Sequence, residues 1–171
     1  MKKASKIALL IFILLIVAAV PLYYYTRPPA VPASTQPNTI QIEGNVSNPM
    51  NITLSQLETF PALTIKVTLT SGATPSENGV FNYTGVLLGT LLNQAKASSN
   101  ATSVYVEGSD GYGATVSMQD AASRSTIIAY AKDGAPLTPL KSGGEGPARL
   151  IVGTDIYAIR WVKGVVLIQV N

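Results

Sequence analysis

Three segments of the chain concentrate residue types that could do chemistry. Residues 108–113 read GSDGYG and residues 141–149 read KSGGEGPAR, and glycine-rich backbone of this kind can bring N–H groups close to an anion. An arginine ending the second segment could bind a phosphate bidentately. Residues 160–164, RWVKG, place two cations around the single Trp, which suits either a cation–π contact or a core anchor. From composition alone, each glycine-rich segment could instead be an ordinary loop between two strands.

Many familiar kinds of active site are excluded because the sequence contains no Cys and no His. Disulfides, thiolate ligands and iron–sulfur clusters are ruled out, as are the Ser-His-Asp triad, the usual zinc sites and a His-held haem. No S-x-x-K motif offers a lysine-activated serine. The acidic residues Glu43, Glu58, Glu77 and Glu107 are scattered and are expected to be solvated. We therefore assign no catalytic and no metal-ligating residue.

Composition and charge narrow the class of protein further. Hydrophobic residues form 47% of the chain and charged residues 12%, against a usual charged share of about 25%. This balance argues against disorder and against nucleic acid as a partner. The net charge of +3 comes from the N-terminus, where Lys2, Lys3, Lys6 and Arg27 lie. Eight basic and nine acidic side chains follow residue 40, so the rest of the chain is nearly neutral.

The N-terminal segment, residues 1–25, predicts a signal anchor. Residues 7–25 carry no charge, and a helix of this length spans about 28 Å, close to the hydrocarbon thickness of a bilayer. The lysines before the run place the N-terminus in the cytoplasm and the remainder outside. We expect a single-pass protein of the cell membrane whose C-terminal domain is extracytoplasmic. The alternative is a cleaved signal peptide, with a weak cleavage site at residues 31–33.

A proline-rich linker and one folded domain are expected to follow the anchor. Residues 26–38 contain four prolines and favour an extended spacer, and residues 39–171 form the domain. Four Asn-X-Ser/Thr sequons in the domain are compatible with an extracytoplasmic surface; they begin at Asn45, Asn51, Asn82 and Asn100.

Local patterns in the domain predict many short strands and two or three short helices. Thr53 is the predicted N-cap of one helix, and residues 86–97 have helical leucine spacing. Residues 118–122 suggest a helical turn, and residues 71–82 are expected to be a loop. Strands are predicted at 39–46, 63–70, 103–107, 114–118, 126–132 and 149–153, with one or two more within 159–170. No repeating βαβ order is present, so the fold class is α+β with a mixed sheet.

Taken in order, these segments resemble the oxidoreductase molybdopterin-binding domain family, the sulfite-oxidase-like superfamily. The resemblance covers roughly residues 40–170. IEGNVSNPMNITLSQLETFP, IKVTLT and YTGVLLGTLL are similar to the N-terminal half of the family, and SDGYGATVS, IIAYAKDGAPL, GEGPARLIV and IRWVKGVVLIQV to the C-terminal half. The resemblance implies an α+β fold with a mixed sheet of the sulfite-oxidase type.

The resemblance also implies a set of cofactor-binding residues. Arg149 and Arg160 match basic positions of the family, and the two side chains are expected to converge on one cleft. Asp110, Gly111 and Tyr112 match the DGY position near the pocket, and the loop containing Gly144 matches a segment of its rim. The implied cofactor is molybdopterin.

One departure from the family bears on activity. Catalytic members hold molybdenum through a Cys just after the strand that here reads IKVTLT, whereas this chain has Thr70-Ser71-Gly72 there. The absent Cys argues against bound molybdenum. The sequence therefore predicts a ligand-binding or accessory domain, with a redox or surface-complex subunit as a candidate partner. The alternative is an active molybdopterin-dependent oxidoreductase acting on a small oxyanion or sulfoxide-like substrate.

Overall fold

The computed structural model describes residues 38–171, apart from 71, 73, 74 and 156. These residues belong to a compact unit that runs from Gln36 to Asn171. The predicted signal anchor and residues 26–37 of the predicted linker lie outside the described residues, and both stay predictions. Within the described part of the chain, no helix has the length and apolar character needed to cross a membrane.

Ten short strands form the framework of the described residues. They are β1 (Thr39–Gly44), β2 (Met50–Thr53), β3 (Ala62–Leu69), β4 (Gly79–Leu87), β5 (Ser103–Gly108), β6 (Gly113–Ser117), β7 (Thr126–Lys132), β8 (Ala135–Pro136), β9 (Arg149–Val152) and β10 (Val165–Val170). The helices are brief: α1 (Leu54–Leu57), α2 (Leu88–Gln94) and α3 (Met118–Ala121), with 3₁₀ turns at Pro75–Glu77 and Leu140–Ser142.

The strands form two sheets. The first has the order β2-β1-β10-β5-β6, in which β1 pairs with β10 in parallel and the other described pairs are antiparallel. The second has the order β3-β4-β7-β8, and β9 also pairs with β7. Since the first sheet combines both orientations, the mixed sheet expected from the sequence is confirmed.

One hydrophobic core draws residues from both sheets and from α2. Ile42 and Ile168 of the first sheet, Ile128 and Leu150 of the second, and Leu91 of α2 have no exposed side-chain surface. Burying an aliphatic side chain of this size contributes roughly 1.5–3 kcal/mol. The site described below therefore rests on a packed framework.

Capping and turn chemistry agree with the sequence in three places. The Thr53 side chain accepts the Gln56 N–H, and the Gln56 side chain accepts the Thr53 N–H, so the predicted N-cap of α1 is part of a capping box. Helix α3 occupies the predicted helical turn. Asp133 and Gly134 form an Asp-Gly pair of the kind typical of hairpin turns; they have φ angles of 49° and 83° and connect β7 to β8.

Two predictions about the middle of the chain are wrong. Strand β4 begins at Gly79, inside the segment expected to be a loop, and continues to Leu87, inside the segment expected to be a helix. Since β4 pairs with β3 on one side and β7 on the other, its backbone groups are held in the sheet until Leu87. Only Leu88–Gln94 is left to form α2.

Candidate functional site

A cavity of about 570 Å³ opens where several strands end. Leu69 lies at the end of β3, Arg149 begins β9, and Trp161 and Lys163 precede β10. Among the described lining residues, aromatic and apolar side chains accompany two cations and two carboxylates. A pocket of this volume and mixed lining is typical of a small-molecule site.

The turn between β5 and β6 supplies one side of the cavity. Gly111 has a φ of 80°, a conformation that favours glycine, and it lets the chain reverse between the two strands. The Asp110 carboxylate accepts the Tyr112 N–H at 3.0 Å, which fixes the turn. Tyr112 is 48% exposed and its hydroxyl donates to the carbonyl of Ile159. Asp110 and Tyr112 both line the cavity, whereas the described lining does not include Gly111.

Arg149 brings a buried positive charge to the cavity. The residue is only 3% exposed, and its Nη1 donates to the Tyr83 hydroxyl at 2.9 Å and pairs with a Glu145 carboxylate oxygen at 2.5 Å. The guanidinium carbon lies 5.2 Å from the centre of the Trp161 ring. Its Nε is buried without a hydrogen-bond partner among the described residues. Because a buried unpaired donor is costly, this N–H suits an acceptor supplied by a ligand.

Glu145 holds the cluster together. It accepts from the Tyr83 hydroxyl at 2.8 Å and from the Lys132 ammonium at 3.0 Å, besides its ion pair with Arg149. Burial by itself raises the pKa of Glu145, but the charge and hydrogen bond of Arg149, together with the hydrogen bonds from Tyr83 and Lys132, bring it below the usual value. Burial raises the pKa of Tyr83 far above its usual value. The site is therefore built with Glu145 ionised and Tyr83 protonated.

Gly144 lies away from the first cavity, in a second cavity of about 390 Å³. It follows the 3₁₀ turn Leu140–Ser142, and a Cβ atom on Gly144 would collide with the backbone carbonyl of Thr138. The close approach explains the glycine, so Gly144 shapes the wall of the second cavity and not the rim of the first.

Arg160 does not join Arg149, so the predicted convergence of the two arginines on one cleft is wrong. The Arg160 Nε donates to both carboxylate oxygens of Asp155 at 3.1 Å, and Nη1 donates to Asp120 at 2.7 Å. These bonds, led by the one to Asp155, raise the pKa of Arg160. Arg160 is absent from the described lining of the cavity. Its guanidinium instead ties its own loop to α3.

Trp161 satisfies both interpretations that the sequence left open. It is buried, its Nε1 donates to the Val152 carbonyl at 2.8 Å, and its ring meets the Tyr83 ring edge-on at 5.9 Å. The cation that contacts its ring is Arg149, whereas the sequence pointed to the nearby Arg160 and Lys163. Sequence reasoning overlooked Tyr83, Lys132, Glu145 and Glu77 as site residues.

Comparison with known proteins decides the family. The oxidoreductase molybdopterin-binding domain family matches residues 28–171.

The chain belongs to this family.

Among solved structures, the chain is similar to the sulfane dehydrogenase SoxCD from Paracoccus pantotrophus, with a TM-score of 0.69 and 24% identity. The likeness covers 83% of this chain but 40% of that one, and at this identity it shows the fold. The search of curated proteins found no match. The family resemblance expected from the sequence is confirmed, and the chain is a molybdopterin-binding oxidoreductase-like domain.

The family's cofactor has an organic pterin part and a metal, and the residues of the cavity fit the first but not the second. Trp161, Tyr112 and the Arg149 Nε suit a planar organic ring bearing hydrogen-bond acceptors. A thiolate-held metal does not fit, because the whole sequence lacks Cys. The described residues contain no group of three or more His, Cys, Asp or Glu side chains that could hold a metal ion. Ser71, in the segment where the resemblance implies the family's Cys, lies outside the described residues.

Proposed function

We propose that the chain is a membrane-anchored, extracytoplasmic domain that binds a small ligand of the molybdopterin class in the cavity beside Arg149. In this proposal it is a ligand-binding or accessory domain and does not hold molybdenum through a thiolate. The observation that carries the proposal is the buried Arg149 guanidinium, whose Nε faces no acceptor in the described structure of a Cys-free family member.

The cavity residues have distinct tasks in binding. Arg149 donates to an acceptor atom of the ligand, and its charge is held in place by Glu145 and Tyr83. Trp161 and Tyr112 cover apolar ring surface. One carboxylate oxygen of Asp110 accepts the Tyr112 N–H and fixes the turn, so the other oxygen can accept from a ring N–H or amino group of the ligand. Of the six cofactor-binding residues that the sequence predicts, Asp110, Tyr112 and Arg149 fit this proposal.

The anchor and the location complete the proposal. The uncharged run at residues 7–25 and the lysines before it support a single-pass membrane protein whose folded domain lies outside. A redox or surface-complex subunit is the proposed partner. N-terminal sequencing of protein from its native host tests the anchor: we expect the chain to retain residues 7–25, and a mature start near Ser34 would contradict it.

Ligand content tests the binding proposal. Full-length protein made in a host that synthesises molybdopterin is assayed for molybdenum by elemental analysis and for pterin by fluorescence after oxidation. We expect retained pterin with far less than one molybdenum per chain. Asp110→Asn lowers pterin retention while an amide oxygen still accepts the Tyr112 N–H. Asp133→Asn is the matched control, since this exposed turn aspartate also accepts a backbone N–H, from Asn82 at 2.9 Å.

The alternative function, an active molybdopterin-dependent oxidoreductase, is favoured by family membership. It predicts about one molybdenum per chain, lost on changing Ser71 to Ala. That result would overturn the accessory role, whereas absence of both pterin and molybdenum would overturn ligand binding.

A further inference from the structure

Two cavities of the domain share a wall made of charged side chains. The second cavity, of about 390 Å³, contains Lys132 and Glu145, and Glu77 and Lys163 line both cavities. One ion pair of this wall joins Arg149 on the first side to Glu145 on the second. Glu145 also pairs with Lys132, and a separate pair, Lys163 with Glu77, has an N–O distance of 3.2 Å.

The two ion pairs differ in how firmly they are held. The Arg149 and Glu145 side chains are 4% and 14% exposed, and Tyr83 and Lys132 add hydrogen bonds to the pair. The Lys163 and Glu77 side chains are 31% and 39% exposed and are joined by a single contact. A partly exposed pair held by one contact contributes less to stability than a buried, hydrogen-bonded one. A ligand can therefore replace one partner of the second pair, while the first stays fixed.

We propose that Glu77 is an internal competitor for the anionic group of the ligand. The proposal rests on the proposed function and specifies the class of ligand: a planar head in the first cavity with an anionic arm that reaches Lys163 and the second cavity. On binding, the anion replaces the Glu77 carboxylate at the Lys163 ammonium. No covalent bond changes.

The charges around the wall support this exchange. Lys132 is engaged by Glu145 at 3.0 Å and stacks on the Phe81 ring, with its Nζ 3.8 Å from the ring centre. Arg149 is also engaged by Glu145. Of the cations that line the cavities, Lys163 is thus the one whose partner is held least firmly. Glu77 sits at the end of the short 3₁₀ turn Pro75–Glu77, so its release leaves the sheets intact.

The test compares anionic and neutral probes. The full-length protein is titrated with 6-hydroxymethylpterin and with its phosphate ester, and inorganic phosphate is measured separately. Glu77→Gln is expected to bind the phosphate ester and inorganic phosphate about twofold to fivefold more tightly. Its affinity for the neutral pterin stays unchanged. Lys163→Gln loses the preference for the ester, and the exposed Glu58→Gln, the matched charge control, behaves as wild type.

The outcomes separate this inference from the proposed function. If the pterins bind but Glu77→Gln leaves the ester's affinity unchanged, or changes both probes equally, Glu77 does not compete and the inference is overturned. If neither pterin binds any variant, the proposed ligand class is wrong. Tighter binding of inorganic phosphate by Glu77→Gln would then still support the competition at Lys163, and no phosphate binding would overturn both.

Discussion

The ion pair between Glu145 and Arg149 can be tested by removing its charges one at a time and then together. Glu145→Gln leaves a guanidinium that is 3% exposed without its anion, and Arg149→Met leaves Glu145 with only Lys132 as a cationic partner. Removing one partner of a buried pair costs about 3–5 kcal/mol. For a domain of this size, we expect each single variant to melt roughly 10 °C below wild type.

The double variant is expected to be more stable than the sum of the single effects allows. Without either charge no buried ion is left unpaired, and the Tyr83 hydroxyl can donate to the amide oxygen that replaces its carboxylate acceptor. Lys132 is 25% exposed and keeps water as a partner. The loss of unfolding free energy in the double variant should therefore be smaller than the sum of the two single losses by at least about 2 kcal/mol.

Urea unfolding of the full chain, followed by the fluorescence of its single Trp, measures these costs. Trp161 packs against both Tyr83 and Arg149, so its emission reports directly on the cluster. Glu58→Gln, on the surface, is the control and should change stability by less than about 0.5 kcal/mol. Single costs below about 1 kcal/mol, or strict additivity in the double variant, would refute the account of a coupled buried pair.

Three further predictions concern the same framework. Tyr83→Phe removes a hydroxyl that is hydrogen-bonded to both Glu145 and Arg149, and it should lower the free energy of urea unfolding by about 1.5–3 kcal/mol. The control is Tyr130→Phe, whose hydroxyl has no hydrogen bond in the described structure and which should therefore cost less. Equal costs for the two variants would contradict this account. Because folding lowers the pKa of Glu145 from its ordinary 4.5, its stabilisation is present above that pH and is lost as the pH falls below it. Unfolding at a series of pH values should show the difference between wild type and Glu145→Gln shrinking on acidification, and a constant difference would contradict the pairing. Gly108→Ala should lower the melting temperature, because its Cβ would collide with the Lys163 carbonyl; an unchanged melting temperature would mean that the two backbones separate at little cost.

The fold was predictable where local pattern and tertiary environment agree. The alternating residues of β3 and the apolar run of β7 predict strands, and the first and last residues of both strands lie within one position of those expected. Strand β4 was not predictable in this way, because it starts in a segment expected to be a loop and ends in one with helical leucine spacing, and it also contains Gly85, a residue type uncommon within strands. A Cβ there would collide with the backbone carbonyl of Ile128 in the neighbouring strand β7. The glycine is needed by sheet packing, which a local pattern does not contain.

The candidate site was predictable only in part, for a similar reason. Three residues of the site could be selected from the sequence because they lie in glycine-rich segments that match a family motif: Asp110, Tyr112 and Arg149. Their partners come from distant positions: Tyr83 lies 62 residues from Glu145, and Glu77 lies 86 residues from Lys163. Such pairs depend on the arrangement of the sheets.

The parallel pairing of β1 with β10 has a consequence for how the chain folds. Gln41 lies beside Leu167, so the first and last strands of the domain become neighbours inside one sheet. This contact encloses almost the whole domain, and contacts of such high sequence separation slow folding. Strands β3 and β4 are joined locally and can pair soon after synthesis. The first sheet, by contrast, is completed only when β10 inserts between β1 and β5, so we expect that insertion to come late in folding.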